Sequence, residues 1–211
     1  MVTRGKEFSD VCVVDDHSTD KTAQILKDIP GIHVITHKVN THIPGAVIDG
    51  MKYAVVQDYP YAITMDAGLS HNPDEIPRFL DVPDCDLIIG MRTQKIKTPL
   101  YRKILSFFGN FIYNISLDFP RTLFKKKYYR DITSGFRRYS KKAMKSIIKG
   151  PIESRSFDFL VESTAIIYRN RLTIDEVPIT YRSSNSSLKL KVIKDSLLMC
   201  LSLIFHKRKS D

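Results

Sequence analysis

The sequence predicts a single α/β domain built on a mostly parallel sheet, and three observations carry that prediction. Strand-like runs alternate with helix-like runs from Val11 onward, the pattern of a sheet covered by helices on both faces. A length of 211 residues suits one ordinary domain. With 43% hydrophobic and 10% aromatic residues the chain can build a core, which excludes a disordered or fibrous protein.

The elements follow in order. Val11–Asp15 (VCVVD) is a short buried-strand run that ends in DDHSTD, a turn rich in acids and hydroxyls. Ser18, Thr19 or Asp20 can cap the helix that follows through Lys27, and Pro30-Gly31 stops it. IHVITH is the second strand. Residues 44–57 place Val47, Met51, Ala54 and Val55 at helical spacing. Tyr61–Asp66 is the next strand and again ends in an acid. HNPDEIPRFL opens a short helix whose first turn holds Asp74 and Glu75, where carboxylates suit the helix dipole. CDLIIGMR is another strand. Residues 93–129 turn basic, aromatic and helix-like, and Ile132–Tyr139 returns to the sheet. Helices are expected near 141–148 and over FDFLVESTAIIYRN, and LTIDEVPITYR is a strand that Pro178 places near an edge. Residues 1–191 read as one domain, and 192–211 as an amphipathic helix with a basic tail.

The net charge of +10 is unevenly spread. Residues 92–149 hold 16 Lys or Arg against Asp118 and Asp131, a balance of +14, which leaves 17 bases and 21 acids elsewhere. Such a segment attracts phosphate-bearing partners: an anionic membrane surface, a lipid phosphate or nucleic acid. A solvated basic face is the plainer reading. Nucleic acid rests on charge alone, because Phe107, Phe108, Phe111 and Tyr113 have the spacing of a helix's apolar face, not of base-stacking platforms.

Several chemistries are excluded. Cys12, Cys85 and Cys200 are scattered and odd in number, which fits neither a disulfide framework nor a zinc ribbon and points to a reducing compartment. His33 and His37 share a strand face with no third ligand at metal spacing, and read as surface histidines. No Walker loop, GxGxxG or GxSxG run is present, against ATPases, dinucleotide enzymes and serine hydrolases. MVTRGKEFSD has no secretory apolar core, and LLMCLSLIF is too short to span a bilayer. That run precedes His206, Lys207, Arg208 and Lys209, as in a helix at a membrane surface or a packed terminal helix. A cytoplasmic chain, peripheral to the cytoplasmic face of a membrane, is the expectation.

In largely parallel sheets ligands bind beyond the carboxyl ends of the strands. Asp15-Asp16 and Asp66 stand at two such ends. Around them VVDDHSTDKT, MDAGLSHNPDEIP, DLIIGMR, RKILSFFGN, DITSGFRRYSKKAM and DEVPITYRSSNSSLK occur in this order. Together they resemble family 2 glycosyltransferases, in particular the branch of dolichyl-phosphate mannose synthases and bacterial polyprenyl-phosphate glycosyltransferases, from Val11 to about Lys191. The resemblance implies a nucleotide-diphosphosugar transferase (GT-A type) fold, a divalent Mg²⁺ or Mn²⁺, a UDP- or GDP-sugar donor and a lipid-phosphate or glycan acceptor. It leaves self-association open.

The same resemblance assigns residues. Asp15, Asp16 and Ser18 would hold the nucleotide, and Asp66 with Ser70 the metal, His71 standing near them. Arg92, Arg102 and Ser106 match phosphate contacts of the lipid-phosphate branch; Arg pairs bidentately with phosphate oxygens. Asp131 and the Ser134-Gly135-Phe136 turn match the acceptor side, with Asp66 and Asp131 the catalytic candidates. Glu162 and Glu176 match acidic positions, and Arg182 and Lys189 a basic loop that can close over a diphosphate.

Three departures stand out. His17 replaces the usual Gly of the VVDD turn. The Asp-x-Asp motif reads Asp66-Ala67-Gly68, which predicts a weakened metal site. The family's first strand, of type IIPxYNE, has no counterpart in the ten residues before Val11. A truncated start, a strand supplied by a partner chain and a decayed enzyme that serves as a binding partner are the alternatives this leaves.

Overall fold

The computed structural model describes residues 1–68, 70–96, 100–117, 128–182 and 190–205, and of these all side chains except those of 95–96, 100–106 and 190–196. Strands and helices alternate: α1 (Val2–Gly5), β1 (Cys12–Asp15), α2 (Thr22–Lys27), β2 (His33–Thr36), α3 (His42–Val56), β3 (Tyr61–Thr64), α4 (Ile76–Leu80), β4 (Leu87–Ile96), α5 (Leu100–Ser116), β5 (Arg137–Ser140), α6 (Lys141–Lys149), α7 (Phe159–Arg169), β6 (Ile174–Arg182) and α8 (Leu190–Phe205). A 3-10 turn at Pro73–Glu75 leads into α4.

The strands form two groups. β1 and β2 pair in parallel, while β3, β5, β4 and β6 lie side by side in that order. β4 and β6 are parallel, and β5 is antiparallel to both of its neighbours. β3, β4 and β6 therefore run one way, and β5 alone is reversed. Alternation of strands and helices predicts the parallel part, and Pro178 the edge position of β6. It does not predict the reversal. That reversal sets Arg137, the first residue of β5, opposite Thr64 at the end of β3 and Ile89 of β4. The loop entering β5 thus lies where β3 ends.

Alternate residues of β4 feed two cores, as the period of a strand requires. Leu87 and Ile89 join Tyr139, Met144, Ile147, Phe159 and Val161 on one face, with Met51 and Ala54 of α3. Ile88 joins Phe79, Phe136, Val177 and Ile179 on the other. Each fully buried Leu, Ile or Phe is worth roughly 1.5–3 kcal/mol. Close approach also explains Gly90: a Cβ there would come within 2.9 Å of Ile179 Cδ1 and 3.0 Å of the Phe136 carbonyl.

β1 and β3 are only half-buried along most of their length, whereas residues 87–90 of β4 and 137–139 of β5 are buried. Residues before β1 form the short helix α1 and a turn, not a strand. Phe8 lies at the margin of the second core, the Tyr59 hydroxyl donates to Asp10 (2.6 Å), and Arg4 pairs with Asp74 (2.5 Å).

The basic segment is less of a surface than its count of bases suggests. Arg137 and Arg138 are 0% and 1% exposed and spend their donors on the interior. Arg138 donates to the carbonyls of Phe79 (2.6 Å) and Cys85 (3.4 Å) and lies over the Tyr61 ring.

Candidate functional site

The carboxyl ends of β3, β4 and β6 and the loop entering β5 converge on one cluster. Asp66 follows β3. Its backbone N–H donates to His71 Nδ1 (3.3 Å), and its carboxylate lies 3.9 Å from the same nitrogen, with a side chain 56% exposed. Burial pushes the His71 pKa down, against the pull of Asp66, so the imidazole is held neutral with its proton on Nε2. Its ring packs at a tilt against Phe136 and Tyr181. The Arg182 N–H donates to the Ser70 carbonyl (3.1 Å), which joins the end of β6 to the segment after β3.

Arg92 and Asp131 form the charged centre. The guanidinium donates Nε to Asp131 Oδ2 (2.6 Å) and Nη2 to Oδ1 (2.5 Å), a bidentate fork, and the Arg92 N–H reaches the same carboxylate (3.1 Å). Nη2 also donates to Thr133 Oγ1 (2.6 Å), and the cation sits 5.2 Å from the Tyr181 ring. The Asp131 side chain is buried and that of Arg92 is partly so, at 8% and 16% exposed. Desolvation works against the Arg92 charge, but Asp131 outweighs it and the pKa is raised.

The loop that carries Asp131 is clamped from several sides. Asn110 and Asn114, one turn apart on α5, both donate to the Tyr129 carbonyl (2.6 and 2.8 Å). Their side-chain oxygens accept from the N–H groups of Ile132 and Tyr129. Glu176 of β6 accepts from the N–H groups of Arg130 and Asp131. Buried Arg137 donates Nε to the Ser134 carbonyl (2.6 Å), Nη2 to that of Ile132 and Nη1 to that of Leu160 in α7 (3.0 Å). Gly135 closes the loop against Asp66, since a Cβ there would meet Asp66 Oδ1 at 3.3 Å.

A second cluster occupies the end of β1. Asp15 is buried and its Oδ1 accepts from the Ser18 N–H (3.0 Å), closing the turn. His17 takes φ +66°, the left-handed conformation in which a side chain costs roughly 1–2 kcal/mol over Gly. Asp16 Oδ1 accepts from His37 Nδ1 (2.8 Å), the Thr41 N–H (2.7 Å) and Thr41 Oγ1 (2.8 Å). Desolvation works to raise the Asp16 pKa, but these donors lower it below the usual carboxylate range.

The structure thus brings Asp66, Ser70, Arg92, Asp131, the 134–136 turn and Arg182 together, and groups Asp15, Asp16 and Ser18 separately. Ser134 is fully buried, and its Oγ makes no hydrogen bond among the described residues. Arg102 and Ser106 fall on α5 with side chains outside those described, and Lys189 lies outside the described residues altogether. Glu162 is buried and accepts from Glu153 N, Ser154 N and Ser154 Oγ, bracing the segment before α7. His33 stacks on Tyr53. His37 is not a surface histidine; its side chain is 9% exposed, because Asp16 and Asp49 flank it. Sequence reading missed His37, Thr41, Arg137 and the asparagine pair. Only the pair left a signal: two amides at i, i+4 in an otherwise apolar helix face.

Among the described residues no group of three His, Cys, Asp or Glu side chains is arranged to hold a metal ion. Asp66 offers one accessible carboxylate, and a Cβ on Gly68 would meet nothing within 4 Å, so the missing second carboxylate has room.

Comparison with known proteins places these features. The model of the family described as glycosyl transferase family 2 matches residues 3–148. An undecaprenyl-phosphate mannosyltransferase of Micrococcus luteus is 34% identical over 182 residues, covering 82% of this chain and 72% of the relative. A polyprenol monophosphomannose synthase of Mycolicibacterium smegmatis is 28% identical over 186 residues, covering 81% and 66%. Among solved structures, glucosyl-3-phosphoglycerate synthase from Mycobacterium tuberculosis, in complex with Mn²⁺, UDP and glucosyl-3-phosphoglycerate, superposes with a TM-score of 0.67 at 14% identity, over 95% of this chain and 71% of that one. The fold is that of GT-A glycosyltransferases, and the chain belongs to glycosyl transferase family 2.

Proposed function

We propose that this chain transfers a sugar from a UDP- or GDP-sugar to a polyprenyl phosphate, or to another membrane-linked glycan acceptor, at the cytoplasmic face of a membrane. The observation that carries the reading is the part-buried Arg92–Asp131 fork at the strand ends, set in one cluster with Asp66. A guanidinium held in one plane by a carboxylate is prepared for a phosphate oxygen. The turn at Asp15–Ser18 takes the nucleotide.

A phosphate acceptor is ionised at neutral pH, so the attacking oxygen has no proton to lose. Asp131 then serves to aim Arg92 and keep it charged, not as a general base. His71, neutral and fixed by the Asp66 N–H, adds no second positive charge beside Arg92. Arg182, exposed at the end of β6, stands where it can meet a diphosphate.

The donor set fits a hard divalent cation that arrives with the diphosphate. Asp66 would hold it, with Ser70 the further oxygen that the family likeness assigns; Mg²⁺-like ions keep several waters and lean on phosphate oxygens, so one carboxylate suffices. Such an ion stabilises charge developing on the leaving nucleotide.

The membrane side of the reading rests on α5 and α8, which pack on each other. α8 turns Met199 and Cys200 inward and Leu197, Leu198, Leu201 and Phe205 outward, and α5 exposes Phe107, Phe108 and Phe111. An apolar face beside a basic segment suits the surface of an anionic bilayer. No helix among the described residues is long and apolar enough to cross one.

The test is thermal unfolding with UDP and GDP, each with and without Mn²⁺, followed by transfer to polyprenyl phosphate in vesicles. A nucleotide at 100 times its dissociation constant stabilises by about 2.7 kcal/mol, on the order of 5–11 °C for a domain of this size. A metal-dependent shift and a sugar-loaded lipid are expected. No shift with either nucleotide overturns the donor site. A shift without transfer selects the alternative that Gly68 motivates, a partner that binds but does not turn over.

A further inference from the structure

His37, with a side chain 9% exposed, is a titratable group that the reaction outlined above does not use. It follows β2, and its N–H donates to the Asp15 carbonyl (2.9 Å), which continues the β1–β2 pairing by one step. Its ring lies between two carboxylates: Nδ1 is 2.8 Å from Asp16 Oδ1, and Nε2 is 3.1 Å from Asp49 Oδ2. The second is an ion-pair approach without hydrogen-bond alignment, and Nε2 has no hydrogen-bond partner among the described residues. Asp49 is itself paired with Lys52 (2.8 Å). The directional bond of His37 therefore goes to Asp16.

Thr41 completes the clamp. Its N–H and its hydroxyl both reach the same oxygen, Asp16 Oδ1, and its hydroxyl lies 2.9 Å from His37 Nδ1. The turn that presents it is rigidly built. His42 takes φ +62°, and its N–H donates to the Asn40 side chain (3.0 Å). Gly45 of α3 leaves no room on the far side: a Cβ would come within 2.3 Å of Thr41 Oγ1 and 2.4 Å of Thr41 Cβ. Three donors on a single oxygen set the plane and rotamer of the Asp16 carboxylate. A local helix cap would not recruit a histidine 21 residues away in the sequence.

We infer that His37 and Thr41 are positioning residues of the donor site: they clamp Asp16 in the one orientation in which its carboxylate meets the nucleoside part of the sugar nucleotide. This rests on the donor-site reading proposed above. His37 touches no substrate; it acts through Asp16.

The experiment uses the full chain and titrates UDP and GDP, with Mn²⁺ present, against the wild type and four variants. His37→Ala removes the donor. His37→Asn keeps an N–H near the Nδ1 position, and His37→Gln keeps one near the Nε2 position only. Thr41→Val removes the hydroxyl while the backbone donor stays. Loss of a hydrogen bond to a charged group corresponds to about 10- to 100-fold in affinity. His37→Ala and His37→Gln are expected to weaken nucleotide binding by that factor and to raise the donor KM, with kcat and the acceptor KM unchanged. His37→Asn restores most of the affinity, and Thr41→Val shows a smaller loss. Equal weakening by Ala, Asn and Gln, in step with lost thermal stability, would make His37 a packing residue and overturn the inference. Variants that all bind as tightly as the wild type overturn it too, with the donor site intact. A wild type that binds neither nucleotide instead removes the donor-site reading on which the inference stands.

Discussion

The two strand groups treat their charged residues differently. In and beside the four-stranded sheet, Asp131, Arg137 and Arg138 are buried and Arg92 partly so; Arg92 pairs with Asp131, and the other two arginines donate to interior carbonyls. Around β1 and β2, Asp16 and His37 are fastened by a turn at the margin of half-buried strands. Buried charge is costly to leave unpaired and marginal charge is not. Residues of the first group therefore also hold the fold together, whereas on the donor-site reading proposed above those of the second act on ligand binding. Substitutions should divide the same way.

The largest expected effect is Arg137→Met. It strands the carbonyls of Ile132 and Ser134 inside the protein, and at about 1–3 kcal/mol per buried unsatisfied group the two together reach roughly 3–5 kcal/mol. Urea denaturation measures it. A loss under about 1 kcal/mol would mean that the loop entering β5 does not depend on this brace.

Asp131→Ala comes next, at about 3 kcal/mol, because it leaves the part-buried Arg92 guanidinium unpaired. The double variant Arg92→Met, Asp131→Met should regain most of that stability while transfer stays abolished. If the double variant remains as unstable as the single one, the pair is not the source of the cost.

Gly68→Asp probes the exposed side of the cluster and should separate binding from stability. The space around Gly68 is open, so unfolding should stay within about 0.5 kcal/mol of the wild type. A second carboxylate beside Asp66 should raise metal-dependent nucleotide affinity about tenfold, on the order of 1.4 kcal/mol. Calorimetry with and without Mn²⁺ decides it, and unchanged affinity would place the weak point of the donor site elsewhere.

The smallest effect is a pH slope at Glu176. Burial pushes its pKa above the ordinary 4.5, against the N–H groups of Arg130 and Asp131 that pull it down. The folded state then holds the proton more tightly than the unfolded chain. This contribution is full below about 4.5 and declines as pH climbs from there through the folded value. Glu176→Gln should flatten that stretch of the stability profile. An identical slope in both proteins would show that Glu176 does not titrate differently on folding.

Much of this architecture was legible from particular residues. VCVVD, YAITMD and CDLIIGMR announce strands through their apolar runs, and Pro178 marks β6 as an edge strand, since a strand residue without an N–H is tolerated there. The acids at Asp15-Asp16 and Asp66 were readable as ligand-side residues because they directly follow such runs. The asparagine pair on α5 was readable in principle. Arg137 and Arg138 were not, because a base in a basic segment looks solvated until its carbonyl partners, up to 59 residues away, are known.

What the sequence alone determined is local: where strands and helices form, which acids end the strands, that Gly68 stands two residues after Asp66, and the family to which these motifs bear a likeness. Periodicity and turn chemistry act over a few residues, so these are visible in order along the chain. Tertiary structure alone decided that β5 runs backwards between β3 and β4, that Arg92 grips Asp131, and that His37 grips Asp16. Each joins residues 21 to 79 positions apart, and no periodicity or turn preference reaches that far. Partners at such distances are selected by which groups remain unsatisfied once the sheet has closed.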